Sequence, residues 1–318
     1  MKKTIIDCDP GIDDAMGILL AHKGHQLDIV GLASVFGNAD IEVTTRNAVH
    51  LRNTFGIKAP VYQGAGLALD KREQTPPDFV HGKDGLGDLG KAINPGAPDG
   101  DNAAQFIVDS VMDNPNELTL IVLGRLTNLA QAVLLEPRIT ELVEQVVVMG
   151  GAFGFGSVRG NVSPCAEANI FGDARAADLV CQSGFPIAFV GLDVTMRCII
   201  DNALQAKIKK SQQPECQFVG AASDFYADFY KSVGFPGGFP MHDACAVAFA
   251  MAPDLFKVEE GPVRVATSGV ARGQTIMSTD RNRVYEEDYW SAVGLARVCV
   301  DIDADAVLDL YQSTILEG

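Results

Sequence analysis

Six short apolar runs punctuate the chain between Lys3 and Val194: "KTIID", "LDIVGLASVFGN", "APVYQGA", "LTLIVLG", "QVVVMGG" and "PIAFVGLDV". Between them stand segments of helical periodicity: "DDAMGILLAHKG", closed by Gly24, "EVTTRNAVHLRNTFG", closed by Gly56, "NAAQFIVDSVMDN", "LTNLAQAVLLE" and "DARAADLVCQSG". A strand that is apolar throughout cannot turn one face to water, so helices in the connections must cover both faces. The alternation predicts an α/β fold: an open, mostly parallel β-sheet with helices on both faces, Rossmann-like. Past Asp201 the pattern is mainly helical up to Phe256, and strand composition returns within "VYEEDYWSAVGLARVCVDID", adding C-terminal helices and strands. Residues from about Leu67 to Gly100 are rich in Gly, Pro and Asp without periodicity and read as a long loop. A second Gly-rich loop runs to about Cys165. With no internal repeat and no linker, one domain over residues 1–318 is expected.

Charge narrows the partners. The chain has 25 Lys and Arg against 41 Asp and Glu, a formal charge of −16. That balance opposes a nucleic-acid backbone or an anionic membrane surface as partner and suits a neutral or cationic small ligand, or a metal cation. The seven cysteines are scattered and include no C-x-x-C pair, so neither a zinc knuckle nor a disulfide framework is indicated. The start turns acidic after a few apolar residues, unlike a signal peptide, and no apolar run reaches the ~18–20 residues needed to span a bilayer. A reducing cytoplasm is the expected setting.

In open α/β sheets ligands sit beyond the carboxyl ends of the strands. The segments there are "DCDPGIDD", "VFGN", "LGRLTN", "MGGAFGFGSVRGN" and "GLDVT", which should gather on one rim. The first carries Asp7, Asp9, Asp13 and Asp14 around a Pro-Gly corner. A helix N-terminus favours negative charge by only ~0.3–1 kcal/mol. Two carboxylates ~4 Å apart repel by ~4 kcal/mol at an effective dielectric near 20. The dipole alone loses, so protonation or a bound cation must make up the difference, unless one Asp merely caps the helix while the others face solvent. With no thiolate or paired-His pattern nearby, the oxygen donors suit Ca²⁺ or Mg²⁺. The order of residues is not that of an EF-hand loop.

At this point a family resemblance enters. "DCDPGIDDA" resembles the D-x-D-x-G-x-D-D signature of the inosine–uridine-preferring nucleoside hydrolases, and "VFGN", "VHGKDGLG", "GRLTNLA", "VVVMGG", "GNVSPCAEANI" and "MHDACAVA" follow in family order over most of the chain. The resemblance implies a calcium enzyme that hydrolyses the N-glycosidic bond of purine or pyrimidine ribonucleosides to free base and ribose, commonly as a homodimer or homotetramer. It implies Asp9, Asp14, Asp243 and the backbone carbonyl of Leu123 as calcium ligands, with Asp9 also the base that takes a proton from metal-bound water. Asp13 would accept the 2′-hydroxyl. Asn161, Glu167 and Asn169 would hold the 5′- and 3′-hydroxyls, with Asn38 near the ribose. His242 would assist the departing base. His81, Tyr226 and Tyr230 would stand on the nucleobase side, the two tyrosines as a wall that stacks on the base or simply as core. Two positions depart from the family pattern. Ala168 stands where an aromatic residue is frequent, and Arg125 where Pro or Gly is frequent.

Other motifs fail. "GAFGFGSVRGN" gives G-x-G-x-x-R with no helix directly after it, against a dinucleotide site. No Walker loop and no G-x-S-x-G occur. Cys8 lies between two aspartates that raise its pKa, so packing is its expected role. Two alternatives stay open: a metal-dependent phosphohydrolase built on the D-x-D corner, and a non-catalytic nucleoside-binding protein.

Overall fold

A computed structural model describes residues 1–89, 96–280 and 282–317. The first six strands are β1 (Lys2–Cys8), β2 (Leu27–Ser34), β3 (Val61–Gln63), β4 (Leu118–Val122), β5 (Gln145–Met149) and β6 (Ile187–Val190). Five more follow: β7 (Ile199–Asp201), β8 (Gly238–Pro240), β9 (Phe256–Val265), β10 (Thr275–Met277) and β11 (Leu295–Ile302). Among the described residues, nine of these eleven strands form one sheet in the order β10-β9-β11-β6-β5-β4-β1-β2-β3, and β7 and β8 make a separate antiparallel ribbon. From β3 to β11 every neighbouring pair is parallel; β9 and β10 add an antiparallel edge. The parallel sheet with covering helices is the α/β fold the sequence pattern predicts.

Side chains alternate across the sheet. Ile6 and Cys8 of β1 enter one core and Ile5 the other. The first core takes the helices Ile12–Lys23 and His242–Met251, the second the helices Ala103–Asp113, Thr127–Leu135 and Ala174–Gln182. The Ile12–Lys23 helix is buried from Ile12 to Ala21, because its "GILLA" run is apolar all round and other helices close over it. Among the described residues no helix is long and apolar enough to cross a membrane.

The order matters for function. From β1 the chain moves outward through β2 and β3, then returns to the other side of β1 as β4 and continues through β5 and β6. The reversal between β1 and β4 opens a crevice at their carboxyl ends, where no crossover helix covers them.

Three segments differ from expectation. The "GLDV" end of the sixth apolar run is a helical turn, Leu192–Thr195, beyond the end of β6. The long loop from Leu67 contains one helical turn, Asp78–His81, and its residues 90–95 lie outside the described residues. In the C-terminal third, β9 arises from "FKVEEGPVRV", which does not read as a strand, while "VYEEDYWSAVG" forms no strand and only Leu295–Ile302 does.

Candidate active site

The predicted strand-end segments meet. A pocket of ≈ 370 Å³ opens at the rim and is lined by residues from four of the five, joined by others spread over most of the chain. Of the expected site residues, Asp13, Asn38, His81, Leu123, Asn161, Glu167, Asn169, Tyr226, Tyr230, His242 and Asp243 all line it, and Ala168 lies among them. Asp9 and Asp14 sit behind the wall, 2% and 0% exposed.

At the floor, one carboxylate oxygen each of Asp13, Asp14 and Asp243 lie within 4.8 Å of one another. Asp13 and Asp14 are brought there by the first turn of the Ile12–Lys23 helix, Asp243 by the first turn of the His242–Met251 helix packed against it. Asp14 is the most tightly tied. Its carboxylate accepts the backbone N–H of Asp9 at 3.1 Å and of Gly11 at 3.0 Å, and the Asn38 side-chain amide at 2.8 Å. Asp9 is outside the group of three but joined to it, since Asn38 also donates its backbone N–H to Asp9 Oδ2 at 2.8 Å. A Cβ on Gly37 would overlap that carboxylate, so only glycine lets the β2 strand end pass so close. Asp7 stands apart on the opposite sheet face, where Asn128 donates to its Oδ1 at 2.8 Å.

Electrostatics makes this floor costly for the bare chain. Burial, then Asp14's charge, holds the Asp9 carboxyl well above its usual range; burial, then Asp13 and Asp14, does the same to Asp243. Burial and Asp13 push Asp14 up to about 7. Burial alone raises Asp7 to about 7, with Asn128 opposing. Asp9 Oδ1 and Asp13 Oδ1 are buried with no hydrogen-bond partner. Unpartnered, mutually repelling carboxylate oxygens gathered at the floor suit a hard divalent cation, whose charge would offset the penalties on Asp9, Asp14 and Asp243. The residues fit such an ion.

The sugar-side groups interlock. Asn169 donates to the Leu123 carbonyl at 2.6 Å and to Met149 O at 3.2 Å. That carbonyl keeps a second lone pair. Glu167 caps the helix Ala168–Gly172, accepting from Asn169 N and Ile170 N, and reaches Gly151 N at 3.1 Å. Its buried carboxylate is thus satisfied by backbone amides, which leaves lone pairs rather than a bare carboxylate for any hydroxyl. Asn161 is exposed at the pocket mouth. Arg125 lies 4.4 Å over the Phe36 ring, and its charge pulls Asp9 back toward ionisation.

The outer end differs. Phe79, Phe229, Val233, Phe235, Val158 and Met196 give it apolar walls. Two polar chains cross them. Tyr226 is 2% exposed and donates to Asp13 Oδ2 at 3.0 Å, so it braces the floor as well as packing edge-on against Tyr230 at 5.0 Å. His242 bonds to hydroxyls at both nitrogens, Thr195 at Nδ1 and Tyr230 at Nε2, each 2.8 Å away. Burial depresses its pKa to about 4, so it is neutral near pH 7. His81, also lowered by burial, accepts the Ile12 N–H at Nδ1, 3.3 Å.

Thr195, Asn128 and the apolar walls escape a reading of the sequence. Thr195 and Asn128 lie in the strand-end segments "GLDVT" and "GRLTN", so the rim rule was the available signal.

Comparison with known proteins places the geometry in context. A family profile described as inosine-uridine preferring nucleoside hydrolase matches residues 4–309. A probable uridine nucleosidase 2 of Arabidopsis thaliana is 39% identical over 319 residues, covering 100% of this chain and 98% of the relative. Among solved structures, a plant nucleoside hydrolase superposes with a TM-score of 0.95 at 33% identity, covering 100% of this chain and 99% of the other. A purine-preferring ribonucleoside hydrolase from Gardnerella vaginalis gives 0.90 at 30% identity, covering 99% and 98%.

Proposed function

The chain belongs to the inosine-uridine preferring nucleoside hydrolase family, and on that premise we propose that it hydrolyses the N-glycosidic bond of ribonucleosides to free base and ribose, with calcium held at the pocket floor. The observation that carries the reading is the buried Asp13–Asp14–Asp243 cluster at the bottom of a pocket large enough for a nucleoside.

Asp14, Asp243, Asp9 and the Leu123 carbonyl would hold the ion. When bound it would supply positive charge that lowers the pKa of a water and grips vicinal hydroxyls. Asp9 Oδ1, buried and unpartnered, takes the proton of the attacking water. Asp13 Oδ1, also unpartnered, accepts the ribose 2′-hydroxyl, and Tyr226 keeps its carboxylate aimed. Asn169 and Asn38 reach the ribose from the walls, while Glu167 fixes the backbone around Asn169. Asn161, at the mouth, takes the 5′-hydroxyl.

Breaking the C1′–N bond builds positive charge on the sugar. The carboxylates and amide oxygens of the floor face that charge and are already held in place, so little reorganisation accompanies the reaction. The departing base needs a proton or a hydrogen bond. Neutral His242 can accept at one nitrogen and release at the other, so Thr195, His242 and Tyr230 form a chain along which a proton reaches the base side.

A phosphohydrolase reading finds no support in the lining, because among the described residues no Lys or Arg lines the pocket to take a phosphate. The relatives differ in base, uridine in one and purine in another, and they leave this chain's preference to experiment. A panel of ribonucleosides assayed for reducing sugar, with and without a calcium chelator, tests the proposal. Sugar release that the chelator abolishes and calcium restores supports it. Release of inorganic phosphate from nucleotides without sugar from nucleosides, or tight nucleoside binding without cleavage, contradicts it.

A further inference from the structure

The Gly-rich run after β5 fails as a dinucleotide fingerprint in sequence, yet in the structure its backbone still forms an anion cradle. Its backbone N–H groups converge on a carboxylate of the chain itself. Asp193, 3% exposed on the turn beyond β6, accepts the N–H of Phe153 at Oδ2 (2.8 Å) and those of Gly154, Phe155 and Gly156 at Oδ1 (2.8, 2.7 and 3.0 Å). Four successive amides around one anion are a nest. The nest is filled from within, which is the physical reason this loop has no room for a nucleotide phosphate.

The base of this clamp is rigid. Leu192 donates its N–H to Gly151 O at 2.8 Å, and Thr195 on the same turn bonds to His242. Gly156 passes so near that a Cβ would lie 2.9 Å from Asp193 O and 3.0 Å from its Cα. Beyond the clamped amides the loop supplies Val158, Gly160, Asn161 and Val162 to the pocket mouth. The far end is pinned separately, since Asn161 and Val162 donate their N–H groups to Ala166 O. Asn161 therefore hangs between two anchors, one of them Asp193.

We propose that Asp193 is a positioning residue for substrate binding: its carboxylate holds segment 153–162 against the rim, so that Asn161 and the Val158 wall meet the 5′ side of the nucleoside. The substrate named here rests on the ribonucleoside reading; the clamp itself does not. Bonds to a charged acceptor are roughly twice as strong as neutral ones, and in Asp193→Asn the new amide would confront the Phe153 N–H with a second donor. Gly156→Ala attacks the same clamp from the other side while leaving the carboxylate in place.

The test compares the wild-type chain with both variants, calcium-saturated, in two measurements. Hydrogen exchange at Phe153–Gly156 is expected to quicken at least ~100-fold in the variants while strands β1, β4 and β5 keep their protection. For uridine, KM is expected to rise about 10-fold with kcat within about 3-fold, and for 5′-deoxyuridine KM is expected to move by less than about 3-fold. Unchanged exchange in Asp193→Asn overturns the clamp. Quickened exchange with KM for uridine unchanged, or an equal KM rise for both substrates, overturns the positioning role. A wild-type chain that cleaves no ribonucleoside defeats the functional reading instead, and exchange alone then decides for or against the clamp.

Discussion

At its floor the pocket offers Asp13, Asp14 and Asp243, every one buried, with Asp14 fixed by three donors. At its outer end it offers Phe79, Phe229, Val233 and Phe235, with polar groups that are already bonded to one another. The floor is high in electrostatic cost for the bare chain and is positioned by the sheet reversal and two packed helices. The outer end rests on the Pro214–Ser232 helix and its following turn, where exposure is greater. The contrast teaches a division of labour. On the proposed function, chemistry and sugar recognition would belong to the acidic floor, and the base would be met mainly by apolar surface and the Thr195–His242–Tyr230 chain.

The largest effect expected from that contrast lies at the floor. Asp9→Ala should lower kcat by about 10³–10⁴-fold on every ribonucleoside and weaken calcium binding, measured by steady-state kinetics and calorimetry on the same preparations. Turnover near that of the wild type would break the division outright. Next comes the outer end. His242→Ala should cost about 10²-fold on uridine but little on p-nitrophenyl riboside, whose leaving group departs without help. Equal losses on the two substrates would remove His242 from leaving-group assistance.

The smallest effect concerns stability. Asp7 and Asp14 have folded-state pKa values raised to about 7 from 3.8, so the folded chain holds their protons more tightly than the unfolded chain does. A raised carboxyl favours folding in its protonated form. With chelator present, that stability is full below about pH 4 and is lost as pH rises through about 7, on the order of a few kcal/mol. Thermal unfolding midpoints should fall across that window, and calcium should flatten the upper part of the fall by pairing the charge on Asp14. A midpoint indifferent to calcium near pH 7 would sharpen the comparison against a metal-bearing floor.

The central strands β4, β5 and β6 were legible because they are buried on both faces and therefore read as nearly continuous apolar runs, as "LTLIV" and "QVVVM" do. β9 was not, because it lies in the antiparallel edge, half exposed, with Glu259, Glu260, Gly261 and Pro262 in its middle. Conversely, Tyr285 and Trp290 have strand composition but pack on each other in a turn-rich segment. In the site, the acidic corner announced itself by charge density over a few residues. The Tyr226–Asp13 and Thr195–His242 bonds join residues 213 and 47 positions apart, and no local pattern encodes such a meeting. Asp193 shows the opposite case: the Gly-rich loop was visible, but what fills it comes from the next strand end.

The central claim is that the carboxylates of Asp13, Asp14 and Asp243 coexist because a divalent ion sits among them and binds the ribose diol. A crystal structure of the chain grown with calcium and an uncleavable ribonucleoside analogue tests it most directly. The account predicts one ion at the floor, ligated by Asp14, Asp243, Asp9 and the Leu123 carbonyl, with both secondary hydroxyls in its shell. Density for water alone between those carboxylates at saturating calcium, or a sugar bound with its diol turned away from them, would contradict it.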